Sequence, residues 1–274
     1  MRRHAFEFED AAWLPSPLRD GITDFLRLAA EKLGTFREVA PVLHDLAKET
    51  DSSQFVDLCA GGGGPMPSLR DQIARDFGLN LPLVLTDLYP NHGAFRSASN
   101  RGDAAIRALQ TPVDACDVPP SLPGLRTLFN GLHHLRPHQV NALLADAVAK
   151  GQPLAIFEFV ERSPLAFASI CATPALAFLL TPSLKSRDWR RYFLTYGIPV
   201  IPFLICWDGM ASCLRAYSDA ELLTLCSVHE CDNYKFRIGR VHAPYIRAPI
   251  RYLLGVPASA NRQSSSAVPR ESPG

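Results

Sequence analysis

The segment Phe55-Val56-Asp57-Leu58-Cys59-Ala60-Gly61-Gly62-Gly63-Gly64-Pro65 constrains the fold more than any other in the chain. An apolar run ends in an acid and then in consecutive glycines, and the residues behind them predict a helix. Glycine lets a backbone take positive φ and pass close to a ligand, while a helix N-terminus favours negative charge. Strand, glycine turn and helix in that order predict an α/β protein with a nucleoside or anionic ligand at the turn. The frame also excludes two common glycine loops. A phosphate-binding loop ends in Gly-Lys-Ser/Thr, which Gly64-Pro65-Met66 does not supply. The dinucleotide fingerprint needs a third small residue, where the frame from Gly61 puts Met66.

Hydrophobic periodicity extends the pattern in both directions. Residues 16 to 33 and Phe36 to Leu46 predict two helices ahead of the sheet. Gln54 to Leu58 is the first predicted strand, followed by a helix over Ser68 to Phe77 that ends at Gly78. Pro82 to Asp87 is the second strand, with a short helix and a short third strand near Val113 expected next. Leu125 to Phe129 and Pro153 to Phe159 are the fourth and fifth strands, separated by a helix over Pro137 to Lys150. Such alternation predicts a mostly parallel sheet covered on both faces. A helix over Ser218 to Ser227 carries a capping-box signature in Ser218 and Glu221. Tyr234 to Val241 and Ile250 to Val256 are expected to close the sheet as a hairpin. The division expected is N-terminal helices over 1–50, a main domain over 51–257 with an insertion at 162–203, and a disordered Ser- and Pro-rich tail over 258–274.

Composition narrows the partners. Lys and Arg number 28 against 27 Asp and Glu, so no electrostatic footprint for a polyanion exists and nucleic acid is not expected as a partner. Seven cysteines are scattered without CxxC or zinc spacing, which predicts reduced thiols and no metal site. Acidic Glu7, Glu9 and Asp10 follow the basic N-terminus where a signal peptide needs an apolar run, so a cytoplasmic location is expected. The apolar stretch Pro164 to Leu184 is nearly long enough to span a bilayer, but Pro174 and Pro182 interrupt it. It is expected to be a cap helix or to rest on a membrane surface, making peripheral membrane contact.

Taken with its acid and alternating glycines, the loop resembles motif I of the class I S-adenosylmethionine-dependent methyltransferases, a Rossmann-like seven-stranded fold. Asp57, Gly61 and Gly63 match the motif, and Cys59 stands where its first glycine is commonest. The resemblance implies S-adenosylmethionine as cofactor, wrapped by this loop. It also implies that Asp87, at the end of the second strand, accepts hydrogen bonds from the ribose hydroxyls, and that Asp114, or else Asp117, receives the adenine amino group.

Methyl transfer to a protic acceptor needs a base as well as alignment. Phe129-Asn130-Gly131-Leu132-His133-His134 is similar to the His-bearing segment after the fourth strand in small-molecule methyltransferases. His133 or His134 is therefore the candidate catalytic or substrate-contacting group. The alternative is that one caps the next helix and the other packs. Adjacent residues point different ways, so one of the two is expected to reach the pocket. Glu158, in an apolar strand, needs a partner, and an arginine is the expected one. Trp207-Asp208-Gly209 with Arg215 is either a second wall of the acceptor site or a structural turn. The resulting expectation is a methyltransferase with an apolar lid over a small organic or lipid-like acceptor. An NAD-type oxidoreductase and a non-catalytic binding module on the same fold are the alternatives.

Overall fold

The computed structural model describes residues 2–11, 13–93, 95, 105–184, 188–242 and 249–258. Seven strands form one sheet: β1 Phe55–Leu58, β2 Leu83–Leu85, β3 Ile106–Ala108, β4 Leu125–Phe129, β5 Leu154–Glu158, β6 Tyr234–Val241 and β7 Ile250–Pro257. Their order is β3-β2-β1-β4-β5-β7-β6. β7 runs antiparallel to both its neighbours, and the pairings of β1 to β5 are parallel. The chain steps outward from β1 through β2 to β3, then returns to pair β4 on the other side of β1. That reversal opens a crevice at the carboxyl ends of β1 and β4, where ligands bind in open α/β sheets.

Alternate residues of each strand feed opposite cores. Phe55, Leu83, Leu85, Ala155 and Phe157 pack against Val39, Leu43 and Leu46 of the N-terminal region and Leu69 and Ile73 of the helix after β1. Val56, Val84, Leu128, Leu154 and Ile156 pack against Val140, Leu143, Leu222 and Cys226. In chain order the helices are α1 Ser16–Leu33, α2 Ala40–Glu49, α3 Met66–Phe77, α4 Pro137–Ala149, α5 Pro164–Cys171 and α6 Thr173–Leu180. Next come the short α7 Trp189–Tyr192, which runs on into a π turn at Phe193–Gly197, then α8 Val200–Arg215 and α9 Asp219–Ser227. α3 stops at Gly78, whose φ of 71° caps it. α9 carries the expected box: Ser218 Oγ accepts from the Glu221 amide at 3.3 Å, and the Ser218 amide donates to Glu221 Oε2 at 2.8 Å.

Two expectations are corrected. The third strand lies at Ile106–Ala108, and Val113 sits in the loop beyond it, its amide donating to the Asp87 carbonyl at 2.9 Å. Trp207-Asp208-Gly209 is the middle of α8, not a turn. Gly209 serves close packing there, since a Cβ on it would meet Ile170 of α5 at 2.8 Å. α5, α6, α8 and α1 make a separate apolar layer, with Ile22, Phe25, Ala177, Ile201, Leu204 and Ile205 at its centre. The short helix expected ahead of the third strand and the tail beyond Ala258 lie largely outside the described residues.

Candidate active site

β1 delivers Asp57 into the crevice. The residue is buried, and its Oδ1 accepts from the Thr127 hydroxyl at 2.7 Å, the two lying in register on β1 and β4. Burial pushes its carboxyl up to about 7 against the opposing Thr127 hydrogen bond. The loop beyond it is left-handed at Cys59, Gly61, Gly63 and Gly64, with φ of 54°, 52°, 109° and 55°. Cys59 thus adopts a conformation that suits glycine, which accounts for the commoner residue in the motif it resembles. Burial raises its thiol to about 12. A Cβ on Gly61 or Gly63 would meet no atom within 4 Å, so the loop presents bare backbone to open space.

Asp87 lies beside this loop. Its Oδ2 accepts from the Gly61 amide at 2.8 Å and its Oδ1 from the Tyr89 amide at 2.8 Å. The Val113 bond to the Asp87 carbonyl then brings Asp114 to the same sheet edge, where the exposed Asp114 carboxylate accepts from the Cys116 amide at 2.8 Å. Asp117 is committed to Lys150 at 2.9 Å, which favours Asp114 of the pair. Of the five residues proposed from sequence for the cofactor, Asp57 therefore lies near the end of β1 and the other four on the loops after β1, β2 and β3.

β4 and β5 supply the other half. Glu158 pairs with a histidine and not with an arginine: its Oε2 accepts from His133 Nδ1 at 2.8 Å, and its Oε1 from the Leu132 amide at 2.8 Å. The neighbouring Arg251, opposite Glu158 in the β5–β7 ladder, is taken by Asp219 at 2.5 Å and the Tyr217 carbonyl at 2.6 Å. Because an ionised carboxylate only accepts, Nδ1 of His133 carries the proton and Nε2 is left to receive one. The two imidazoles lie 4.2 Å apart, since Leu132–His134 is a 3₁₀ turn in which strand alternation does not hold. Both rings therefore belong to one cluster. Neither caps α4, whose N-cap residue is Arg136, the Arg136 amide donating to Gln139 Oε1 at 2.9 Å.

What covers the histidines was not foreseen from sequence. The N-terminal arm, residues 2–11, lies across them and is tied to α8. Arg2 donates to the carbonyls of His133 and Leu135, each at 2.9 Å, and stacks over Tyr217 at 4.2 Å. Buried Glu7 meets Arg215 at 3.0 Å and His134 Nδ1 at 3.2 Å. Asp10 meets Arg215 at 2.6 Å and His134 at 3.1 Å. The amides of Phe8 and Glu9 donate to the Asp208 carboxylate at 2.8 and 3.0 Å. Burial pushes Glu7 up to about 7, while His134 and Arg215 hold Asp10 down despite its own burial. One ligating atom each from Glu7, His133 and His134 fall within 4.8 Å of one another, a spacing that a metal could share. Arg215 already supplies a cation to that cluster, 3.0 Å from Glu7 and 3.5 Å from His134 Nδ1.

No family model and no curated protein match the sequence. Solved structures do. NcsB1, an O-methyltransferase from neocarzinostatin biosynthesis solved with S-adenosylmethionine and 2-hydroxy-5-methyl naphthoic acid, matches with a TM-score of 0.50 at 15% identity over 88% of this chain and 58% of its own. Human N-acetylserotonin methyltransferase, solved with S-adenosylmethionine, gives 0.47 at 12% identity over 87% and 57%. The pyocyanin biosynthetic protein PhzM gives 0.44 at 16% over 78% and 55%. The chain thus spans a little over half the length of each of these three. The strand order and the likeness to NcsB1 together show the architecture: this chain has the Rossmann-like fold of the class I S-adenosylmethionine-dependent methyltransferases.

Proposed function

We propose that the chain is an S-adenosylmethionine-dependent methyltransferase acting on a small organic or lipid-like acceptor whose reacting group carries a proton. One observation carries the reading. The left-handed glycine loop, Asp87 and Asp114 stand at the carboxyl ends of β1 to β3 and the His133–Glu158 pair at those of β4 and β5, which supports reading one edge of the sheet as a donor-binding half beside a proton-accepting half.

The loop fits the donor. Bare backbone at Gly61 and Gly63 admits a close-lying ligand, and the Asp87 carboxylate beside them suits vicinal hydroxyls. The fit to a dinucleotide is poorer. That fingerprint uses its third glycine to let helix and strand approach, whereas Met66 here fills that space with a fully buried side chain. When bound, S-adenosylmethionine supplies an electrophilic methyl group. The chain's own task is then to hold the acceptor in line, exclude water and take up the proton. His133 Nε2 takes the proton, and Glu158, bonded to Nδ1, keeps the ring in the right tautomer and stabilises the cation that forms. His134, Glu7 and the arm roof this side of the crevice and keep water from it.

The naphthoic acid derivative held by NcsB1 makes hydroxylated aromatic acids the first acceptors to try. Adenosylhomocysteine release would be measured across hydroxylated aromatic and lipid-like acceptors, with native protein and with His133→Ala. Acceptor-dependent release by the native protein that falls in the variant supports the reading. Release that His133→Ala leaves unchanged would remove His133 from the reaction.

A further inference from the structure

The chain leaves β4 through a residue in an uncommon conformation. Asn130, directly after the strand, has φ 48°, a positive value shared among the described non-glycine residues only by Asp51 and Cys59. Asparagine tolerates this region better than most side chains, yet a site that holds a residue there gives a reason to ask what the turn accomplishes.

Two hydrogen bonds hold Asn130 in place. Its amide donates to the Phe157 carbonyl at 2.8 Å, continuing the β4–β5 ladder beyond Phe129, and its Oδ1 accepts from the Phe159 amide at 2.8 Å. Phe157 and Phe159 flank Glu158 in the chain, so one residue grips the backbone on both sides of that carboxylate. Two and three residues further on, the Leu132 amide and His133 Nδ1 donate to the carboxylate itself, each at 2.8 Å. Residues 130, 132 and 133 on one strand end thus clasp residues 157, 158 and 159 on the other. Packing tightens the clasp. The Phe129 ring stacks on Phe157 with centroids 5.1 Å apart and meets Phe36 edge-on at 5.2 Å. Gly131 lies where a Cβ would meet Leu128 Cδ2 at 2.9 Å and Cys59 Cβ at 3.5 Å, so the turn abuts the glycine loop.

Closing the turn does not by itself call for asparagine, since glycine would take φ 48° freely. What asparagine adds is the oxygen on the Phe159 amide, which ties the start of the His133 turn to the strand that carries Glu158. The aim of the His133 ring depends on where that turn starts and where Glu158 stands, and Asn130 bears on both. We infer that Asn130 is a positioning residue for the His133–Glu158 pair, holding carboxylate and imidazole in the register in which Nδ1 carries the proton and Nε2 is free to accept one. The role rests on that pair being the proton-accepting half proposed above.

Imidazole nitrogen shifts in the isotope-labelled full chain test it, because they report which nitrogen of His133 is protonated. In the native chain the proton should sit on Nδ1, and the Phe159 amide should resist exchange with solvent. Asn130→Gly keeps the backbone conformation and removes the oxygen. It should lower the melting temperature by only a few degrees, speed Phe159 amide exchange by about tenfold or more, and turn His133 into a mixture of tautomers. Adenosylhomocysteine release should fall about ten- to hundredfold with donor affinity unchanged, as a misplaced base predicts. Asn130→Asp retains an oxygen for Phe159 and should recover the Nδ1 tautomer and most of the turnover. Should Asn130→Gly not fold, Asn130→Ser, whose side chain is too short for the Phe159 amide, gives the same comparison. A tautomer left wholly on Nδ1 in the variant that removes the contact would overturn the inference, as would a loss that Asn130→Asp does not recover. A native His133 protonated on Nε2 would overturn the proposed role of the pair as well.

Discussion

Asp87 offers two carboxylate oxygens beside a glycine loop, and losing hydrogen bonds to a charged group costs about 1.5 to 3 kcal/mol. Asp87→Ala should weaken S-adenosylmethionine binding by about that amount, in titration calorimetry, without unfolding the chain. Gly63 stands at φ 109° with open space where its Cβ would be, so Gly63→Val should abolish binding through strain and through occupation of that space. His133→Ala should leave donor affinity intact while turnover falls about a hundred- to ten-thousandfold, as expected for loss of a general base. Glu7 carries a pH signature. It ionises near its ordinary 4.5 when unfolded and near 7 when folded, so between those values the folded state holds the extra proton. Stability contributed there falls as pH rises and levels off above the folded value. Relative to Glu7→Gln, the native protein should lose unfolding free energy across that window, and a difference that grows with pH would contradict the assignment. The placement of Asp57, the glycines and Asp87 at strand ends was legible in the sequence because its signal is local: an acid and glycines where an apolar run stops. The cluster of Glu7, Asp10 and His134 around Arg215 was not, because its ion pairs join residues more than a hundred positions apart. Glu158 was rightly read as a group needing a partner, but burial alone could not choose histidine over the arginine beside it.

Most elements could be read because their ends carry chemistry of their own. α9 is the clearest case, and Ser218→Ala should cost about 1 kcal/mol, seen as a lower melting temperature, because one of its first amides loses its acceptor. β3 was misplaced because it is a three-residue edge strand with the burial of a half-exposed segment, leaving no apolar run to find. Val113 drew the assignment because its side chain is buried although its backbone only bridges to Asp87. α8 was hidden for the opposite reason. It is apolar on both faces and holds Pro202 near its start, so no single periodic stripe marks it. Its buried Asp208 read as a turn residue but accepts two amides of the N-terminal arm, a role only the folded chain reveals.

At the scale of the molecule, the strand order puts the glycine loop at the switch point, and the arm, α1 and α8 close over its histidine side. α1 approaches the loop closely, since a Cβ on Gly62 would meet Thr23 Cγ2 at 3.2 Å. The proposal joins the crevice, its acids and the His133–Glu158 pair into one donor-and-acceptor site, and it rests first on the identity of the donor. Titration calorimetry of the full chain with S-adenosylmethionine, adenosylhomocysteine and NAD tests that most directly. The account predicts saturable binding of the first two, weakened in Asp87→Ala and lost in Gly63→Val, and none of NAD. Binding of NAD alone, or of none of the three by folded protein, would contradict it.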